Sequence, residues 1–401
     1  MIKKELITYS LKNIYKRKTR SFLTVLSIFV GITSIFIFIS FGFGLYNYIN
    51  SFTTSTSVDK ILIMPKGISA PGIDDNFAIT ENDVEAIEKT PGVFSATGLY
   101  AKAVQIEQNK ITKYVFLISF DPKKPLILEM SSIKIDDGRE LQEGDDGKAV
   151  LGYNYKVENK IFPKAYQVGD NIIINGQKTR IIGFLGTIGN PADDSQIYIT
   201  NDYFKKLYPN ETGYAEVIAR IDIKDMNNII NRVEKNLRNS RGLDKGQEDF
   251  FVSSFDDLIE QYSSALDIVI GFIVAIALVS VLVSAVNTAN TMITSVLERT
   301  REIGTMKSVG AKNSEILKIF LFESAFLGFV AGIIGVLIGF AISFTTGQIL
   351  KNLGWGFLQP AFPWYLFVGA IAFATLTGAL SGIWPAWRAS KLKAVDALRY
   401  E

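Results

Sequence analysis

The chain contains neither cysteine nor histidine. That removes thiol nucleophiles, disulfides, imidazole general bases and the nitrogen and sulfur ligands of the usual zinc sites. Any chemistry must rest on Asp, Glu, Lys, Arg, Ser, Thr or Tyr. The acidic pairs Asp74-Asp75, Asp136-Asp137, Asp145-Asp146 and Asp193-Asp194 sit among Gly and Pro. They lack the loop spacing of a hard-cation cage, so they read as solvated turns rather than calcium sites. With no catalytic, cofactor or metal constellation in sight, the segment of most interest is Glu298-Arg299-Thr300-Arg301-Glu302-Ile303-Gly304-Thr305-Met306-Lys307-Ser308-Val309-Gly310-Ala311-Lys312. Ile303, Met306 and Val309 fall at i, i+3 and i+6 with charges on the other face, and Gly310 is a natural stop, which predicts a short amphipathic helix. Two settings suit such a helix, resting on a membrane or docking in a groove of a soluble partner. The residues alone do not choose between them.

The elements that must hold this segment are strongly apolar. Phe22 to Leu45 carries no charge, and about 24 residues at roughly 1.5 Å each reach about 36 Å, enough to cross a hydrocarbon core. Similar stretches run from Ile268 to about Leu297, from Ser324 to Leu350 and from Phe362 to Trp387. Four transmembrane helices are predicted, over 22–46, 263–297 (with a stalk), 316–350 and 362–387. The first is too long for a signal-peptide core and no small-x-small cleavage site follows, so it reads as an anchor. No charge lies near the middle of a span, which argues against an ion or proton path. Glu323 comes nearest and reads as a hydrogen-bonded residue at the membrane boundary.

Basic residues set the expected orientation. Lys3, Lys4, Lys12, Lys16, Arg17, Lys18 and Arg20 precede the first span against Glu5 alone, and Arg388, Lys391, Lys393 and Arg399 follow the last against Asp396 and Glu401. By the positive-inside rule both termini and the 298–315 loop lie in the cytoplasm of a cell-membrane protein. Residues 51–262 then lie outside, with about 25 basic and about 32 acidic residues. The formal net charge of +2 is the remainder of two opposed faces. Within residues 1–21, Ile7, Leu11, Ile14 and Tyr15 suggest an amphipathic helix on the cytoplasmic bilayer surface. Residues 388–401 form a cytoplasmic tail.

The outer segment is long enough for its own core and reads as a mixed α+β domain. Its opening suggests a strand at Lys60–Met64, a helix begun by Thr80 with Asp83 three residues on, and an alternating run from Ala101 to Phe120. Short strands dominate about 138–209, and a strand at Ala215–Ile223 and an amphipathic helix at Met226–Arg238 resume the first pattern. A β-rich module inserted between two halves of an α/β module is the simplest account. Ser253 to Tyr262 enters the second span without Pro or Gly, so one helix is expected to continue through. Gly328, Gly332, Gly335 and Gly339 in span three, and Ala370, Ala374, Gly378 and Gly382 in span four, are small residues largely at four-residue spacing that let backbones approach, within one chain or between two.

The Glu298–Ala311 segment resembles the signature of the MacB/FtsX-like family of ABC transporter permeases. So do Trp384-Pro385-Ala386-Trp387-Arg388-Ala389-Ser390-Lys391, the following Ala394–Glu401, and the opening Arg17–Gly31. The resemblance extends over the whole chain. It implies that residues 298–315 hold a coupling helix that docks on a separate cytoplasmic ATPase, with Glu298, Arg299, Arg301, Glu302, Ile303, Gly304 and Met306 making or shaping the contact. It also implies a porter-like outer domain with a β-rich insert and a pairing of permeases, most simply a homodimer. An extracytoplasmic adaptor and membrane lipids are the other expected partners; nucleic acid is not. No G-x-x-x-x-G-K-[ST] occurs, and Gly144–Lys148 has the wrong spacing, so ATP is expected to bind a partner and this chain is not expected to be an enzyme. The function implied is mechanical: ATP hydrolysis in trans drives outward export of a substrate. The rival is transmembrane signalling to an extracytoplasmic partner such as a cell-wall hydrolase.

Overall fold

The computed structural model describes residues 18–51, 58–66, 78–131, 133–211 and 213–399. The surface helix expected around Ile7–Tyr15 and the Asp74-Asp75 pair lie outside them. The described chain divides into an outer unit, 47–264 with 351–357, and a membrane unit made of the remainder. In a bilayer every backbone polar group needs an internal partner, so charge-free runs of this length become helices. The first helix is α1 (Lys18–Ser51).

The outer unit is built on strands and short helices. In order they are β1 (Lys60–Pro65), α2 (Glu81–Glu88), β2 (Val93–Gln108), β3 (Ile111–Phe120), α3 (Leu126–Ser131), β4 (Ile135–Gly138), β5 (Lys148–Leu151), β6 (Asn171–Ile174), β7 (Gln177–Leu185), β8 (Ile197–Thr200), α4 (Asn201–Leu207), β9 (Glu216–Ile221), α5 (Met226–Ser240) and β10 (Phe250–Ser254). The strands form one sheet in the order β10-β1-β9-β2-β3-β8-β5-β7-β4, with β6 pairing β2 and β7. Alternation divides its faces. On β9, Val217, Ala219 and Ile221 join one core with Ile229, Val233 and Leu237 of α5. Ile218 points the other way, into a second core with Leu126 of α3. The capping box anticipated at Thr80 is present: Asp83 N–H donates to Thr80, and the Thr80 N–H donates to the Asp83 carboxylate at 2.8 Å.

Two readings of this unit change in detail. The run from Ala101 to Phe120 is not one strand but an antiparallel hairpin, Gln108 facing Ile111 across Asn109 and Lys110, both at positive φ. The β-rich portion also begins before residue 138. The start of β2 pairs with β9 and its end with β3 and β6, so a single 16-residue strand serves both parts of the sheet.

The membrane unit continues with α6 (Phe255–Glu298), α7 (Thr300–Ser308), α8 (Asn313–Asn352), α9 (Trp364–Ser390) and α10 (Ala394–Arg399). Helices α1, α6, α8 and α9 are each long and apolar enough to cross a membrane. Ser254 and Asp257 open α6 with a second capping box, each backbone N–H donating to the other's side chain at 3.0 Å. From there α6 is unbroken for 44 residues, about 66 Å at roughly 1.5 Å per residue. Ile28, Ile32 and Phe36 of α1 pack with Ala331 and Val336 of α8 and Leu366, Ala370 and Ala374 of α9.

Candidate coupling site

The short amphipathic helix is α7. Arg299 stands between it and α6, and the Arg299 carbonyl accepts from the Ile303 N–H at 2.9 Å. At the other end Gly310 takes φ +98°, its N–H donating to the Lys307 carbonyl at 3.0 Å while the Ala311 N–H donates to the Met306 carbonyl at 3.0 Å. That pair of reversed bonds is a Schellman stop, and its left-handed position favours glycine.

The N-terminal end of α7 is anchored by a buried charge. Arg299 is 2% exposed; its Nη1 donates to Oε2 of Glu323 on α8 at 2.9 Å and its Nε to Oε2 of Glu302 at 3.2 Å. The guanidinium carbon also lies 4.9 Å from the ring centroid of Phe320, one turn before Glu323. A planar fork suits this arrangement, since it serves two carboxylates and an aromatic face at once. Breaking such a pair from one side strands the other charge in an apolar setting, at a cost of about 3–5 kcal/mol.

The C-terminal end is anchored differently. Lys307 Nζ donates to the carbonyls of Ser390 at 2.6 Å and Leu392 at 2.5 Å, where α9 ends. Between the anchors, Ile303 is buried with Met292 and Val296 of α6, Ile316 and Phe320 of α8, and Ala386 and Ala389 of α9, and Met306 packs at the edge. Thus α7 is held to three other helices by two polar clamps and one apolar contact.

The candidate residues separate by face. Glu298, Arg301 and Glu302 are exposed, whereas Ile303 and Gly304 are buried, Arg299 is enclosed and Met306 is half-buried. The expected apolar stripe is therefore broken. Ile303 points into the protein, but Val309 is 85% exposed because it caps α7 where the chain turns away. The sequence singled out this helix but not Phe320 or the Lys307 clamp, since neither partner is near in sequence. A charged pair at the ends of two apolar runs, Arg299 and Glu323, was the one available signal.

The small-residue rows also separate, and both halves serve contacts within this chain. A Cβ on Gly328 would stand 2.5 Å from the Ala374 carbonyl, and one on Gly332 would stand 2.9 Å from the Ala374 Cβ, so this half of α8 meets α9. A Cβ on Gly335 would stand 3.1 Å from Ile32, and one on Gly339 3.1 Å from Phe36, so the other half meets α1. From α9, Gly378 approaches the Ser324 carbonyl at 2.6 Å by the same measure, Gly382 packs on the Ser324 side chain, and Ala370 and Ala374 are buried. In lipid such close packing replaces the hydrophobic drive.

Of the described acidic pairs, Asp136-Asp137 is exposed, as a solvated turn should be, and so is Asp146, whereas Asp145 and Asp194 are enclosed. Asp145 accepts from Arg139 at 2.6 and 2.9 Å, from Lys148 at 2.7 Å and from the Gln142 N–H at 2.9 Å, and the Arg139 bonds, then Lys148 and the backbone, hold its carboxyl well below the usual range. Asp194 is buried and accepts from Thr187 and two backbone N–H groups. Among the described residues no Asp and Glu cluster has the makings of a metal site.

Four membrane-spanning helices, an extracytoplasmic α+β domain and a clamped helix between the second and third spans define the transmembrane subunit of a transporter. The model for the FtsX-like permease C-terminal region matches residues 274–394, and that for the MacB-like periplasmic core domain matches 21–235. An ABC transporter permease of Methanocaldococcus jannaschii is 32% identical over 99% of this chain and 98% of its own length. The permease YknZ of Bacillus subtilis is 27% identical over 99% of both. The macrolide export ATP-binding/permease protein MacB of Neisseria gonorrhoeae is 26% identical over 98% of this chain and 60% of its own length. The chain belongs to the MacB/FtsX-like family of ABC transporter permeases.

Proposed function

We propose that this permease works with a separate cytoplasmic ATPase subunit and uses its ATP hydrolysis to expel a substrate outward, by transmitting movement rather than by opening a polar channel. The observation that carries the reading is the two-faced coupling helix. Helix α7 is clamped to α8 through Arg299 and Glu323 and to α9 through Lys307, while Arg301 and Glu302 on it, and Glu298 and Val309 at its two ends, are exposed. A force on the exposed face would reach three spans without passing through a flexible joint, and α6 is unbroken for 44 residues. Relatives named for macrolide and pyoverdine export favour export over signalling. In this reading both termini and α7 are cytoplasmic, the permease pairs with a second copy, ATP binds only in the partner, and an extracytoplasmic adaptor completes the path.

The test is co-purification of the full chain with its cognate ABC ATPase in nanodiscs. Arg301→Glu combined with Val309→Asp alters only the exposed face and is expected to reduce ATPase retention at least tenfold while α7 stays folded. Undiminished retention would refute the docking assignment.

A further inference from the structure

The last turns of α9 carry an arrangement that the coupling role does not use. Trp384, Trp387, Arg388 and Lys391 follow one another at i, i+3, i+4 and i+7, so they share a helix face, and all four are exposed. Each ring holds the cation four residues on: the Arg388 guanidinium carbon lies 4.7 Å from the Trp384 ring centroid, and Lys391 Nζ lies 3.8 Å from that of Trp387. Among the described residues neither cation is paired with a carboxylate. Two cations are thus fixed side by side with their anion-binding capacity unspent.

Depth along the helix says what meets them. Trp364 and Tyr365 are exposed at the opposite end of α9. From Trp364 to Trp384 is 20 residues, about 30 Å at roughly 1.5 Å per residue, which equals the thickness of a hydrocarbon core of about 30 Å. Aromatic residues collect at both bilayer interfaces, so these two groups mark the limits of the apolar layer and set Arg388 and Lys391 at the level of lipid phosphates. The negative end of a helix ordinarily repels an anion. Here Lys307 donates to the Ser390 and Leu392 carbonyls, offsetting that end and adding a third positive charge beside it.

We propose that Trp384, Trp387, Arg388 and Lys391 form a binding site for the phosphate headgroup of an anionic glycerophospholipid, the rings resting at the ester level and the two cations holding the phosphodiester.

The full chain contains four tryptophans, so a Trp355→Phe/Trp364→Phe variant leaves the two rings of the site as its tryptophan reporters, read by excitation at wavelengths that tyrosine does not absorb. In nanodiscs of phosphatidylcholine doped with lipid brominated on the acyl chains near the glycerol, brominated phosphatidylglycerol is expected to quench this variant at least threefold more than brominated phosphatidylcholine at the same low mole fraction. Adding Arg388→Gln and Lys391→Gln should equalise the two lipids, whereas Arg388→Lys should preserve the preference. Equal quenching by both lipids before any change to the cations, or a preference that survives their removal, overturns the proposal. If the doubly substituted chain does not fold, the quenching ratio of the parent variant still decides.

Discussion

Glu216 on β9 carries a carboxylate oxygen that is enclosed and makes no hydrogen bond among the described residues. Burial alone raises its pKa from the ordinary 4.5 to about 7. The folded state therefore holds the proton more tightly than the unfolded chain does. Its stability is fully retained below about pH 4.5 and falls as pH rises towards about 7. Because only one carboxylate oxygen is enclosed and the residue as a whole is half-buried, Glu216→Gln is expected to remove that slope and to stabilise the outer domain by about 1–2 kcal/mol at pH 8, seen as a higher Tm whose difference from the parent vanishes near pH 4. A pH-independent difference would mean that the carboxylate finds a partner in solution. Little of this was legible in the sequence. Glu216 and Asp145 are both acids in a polar-looking context, yet one is stranded and the other is gripped by Arg139 and Lys148, because cross-strand neighbours are set by register and not by spacing.

At the scale of elements, the spans and the short helix α7 were legible because length, absence of charge and a terminal glycine are local signals. The β2–β3 hairpin was not. Its turn is Asn109-Lys110 rather than a glycine-bearing pair, so both residues accept a left-handed backbone and the alternation reads straight through. Four-residue rows of small residues pointed to close packing but not to its partner. The contrast between Gly328 and Gly369 tests that assignment. Alanine is the better helix former at either site by roughly 1 kcal/mol. A Cβ at Gly369 meets nothing within 4 Å, whereas at Gly328 it would press on the Ala374 carbonyl at 2.5 Å. Gly369→Ala should leave Tm equal or higher, and Gly328→Ala should cost about 1–3 kcal/mol through forced separation of α8 and α9. Equal Tm for the two variants would place the row of glycines outside the packed contact.

For the whole molecule, the spans differ in how much of their surface this chain covers. In its most apolar stretch α6 is only 11% buried, against 33%, 39% and 39% for α1, α8 and α9. The glycine rows are already used between α8, α9 and α1, so they are not free to join two copies. If the permease pairs with itself, α6 has the most uncovered surface to offer a second α6 or α1, and a closed pair must place the same face twice about its axis. Because the natural chain has no cysteine, a single one introduced at Leu282, 65% exposed on α6, reports only on that face. Under oxidation in membranes Leu282→Cys, or its neighbours on the helix face one turn away, should give a covalent dimer, while Leu337→Cys on α8, equally exposed at 62%, should remain monomeric. Crosslinking at Leu337 with none along α6 would move the dimer contact to α8 and leave α6 facing lipid.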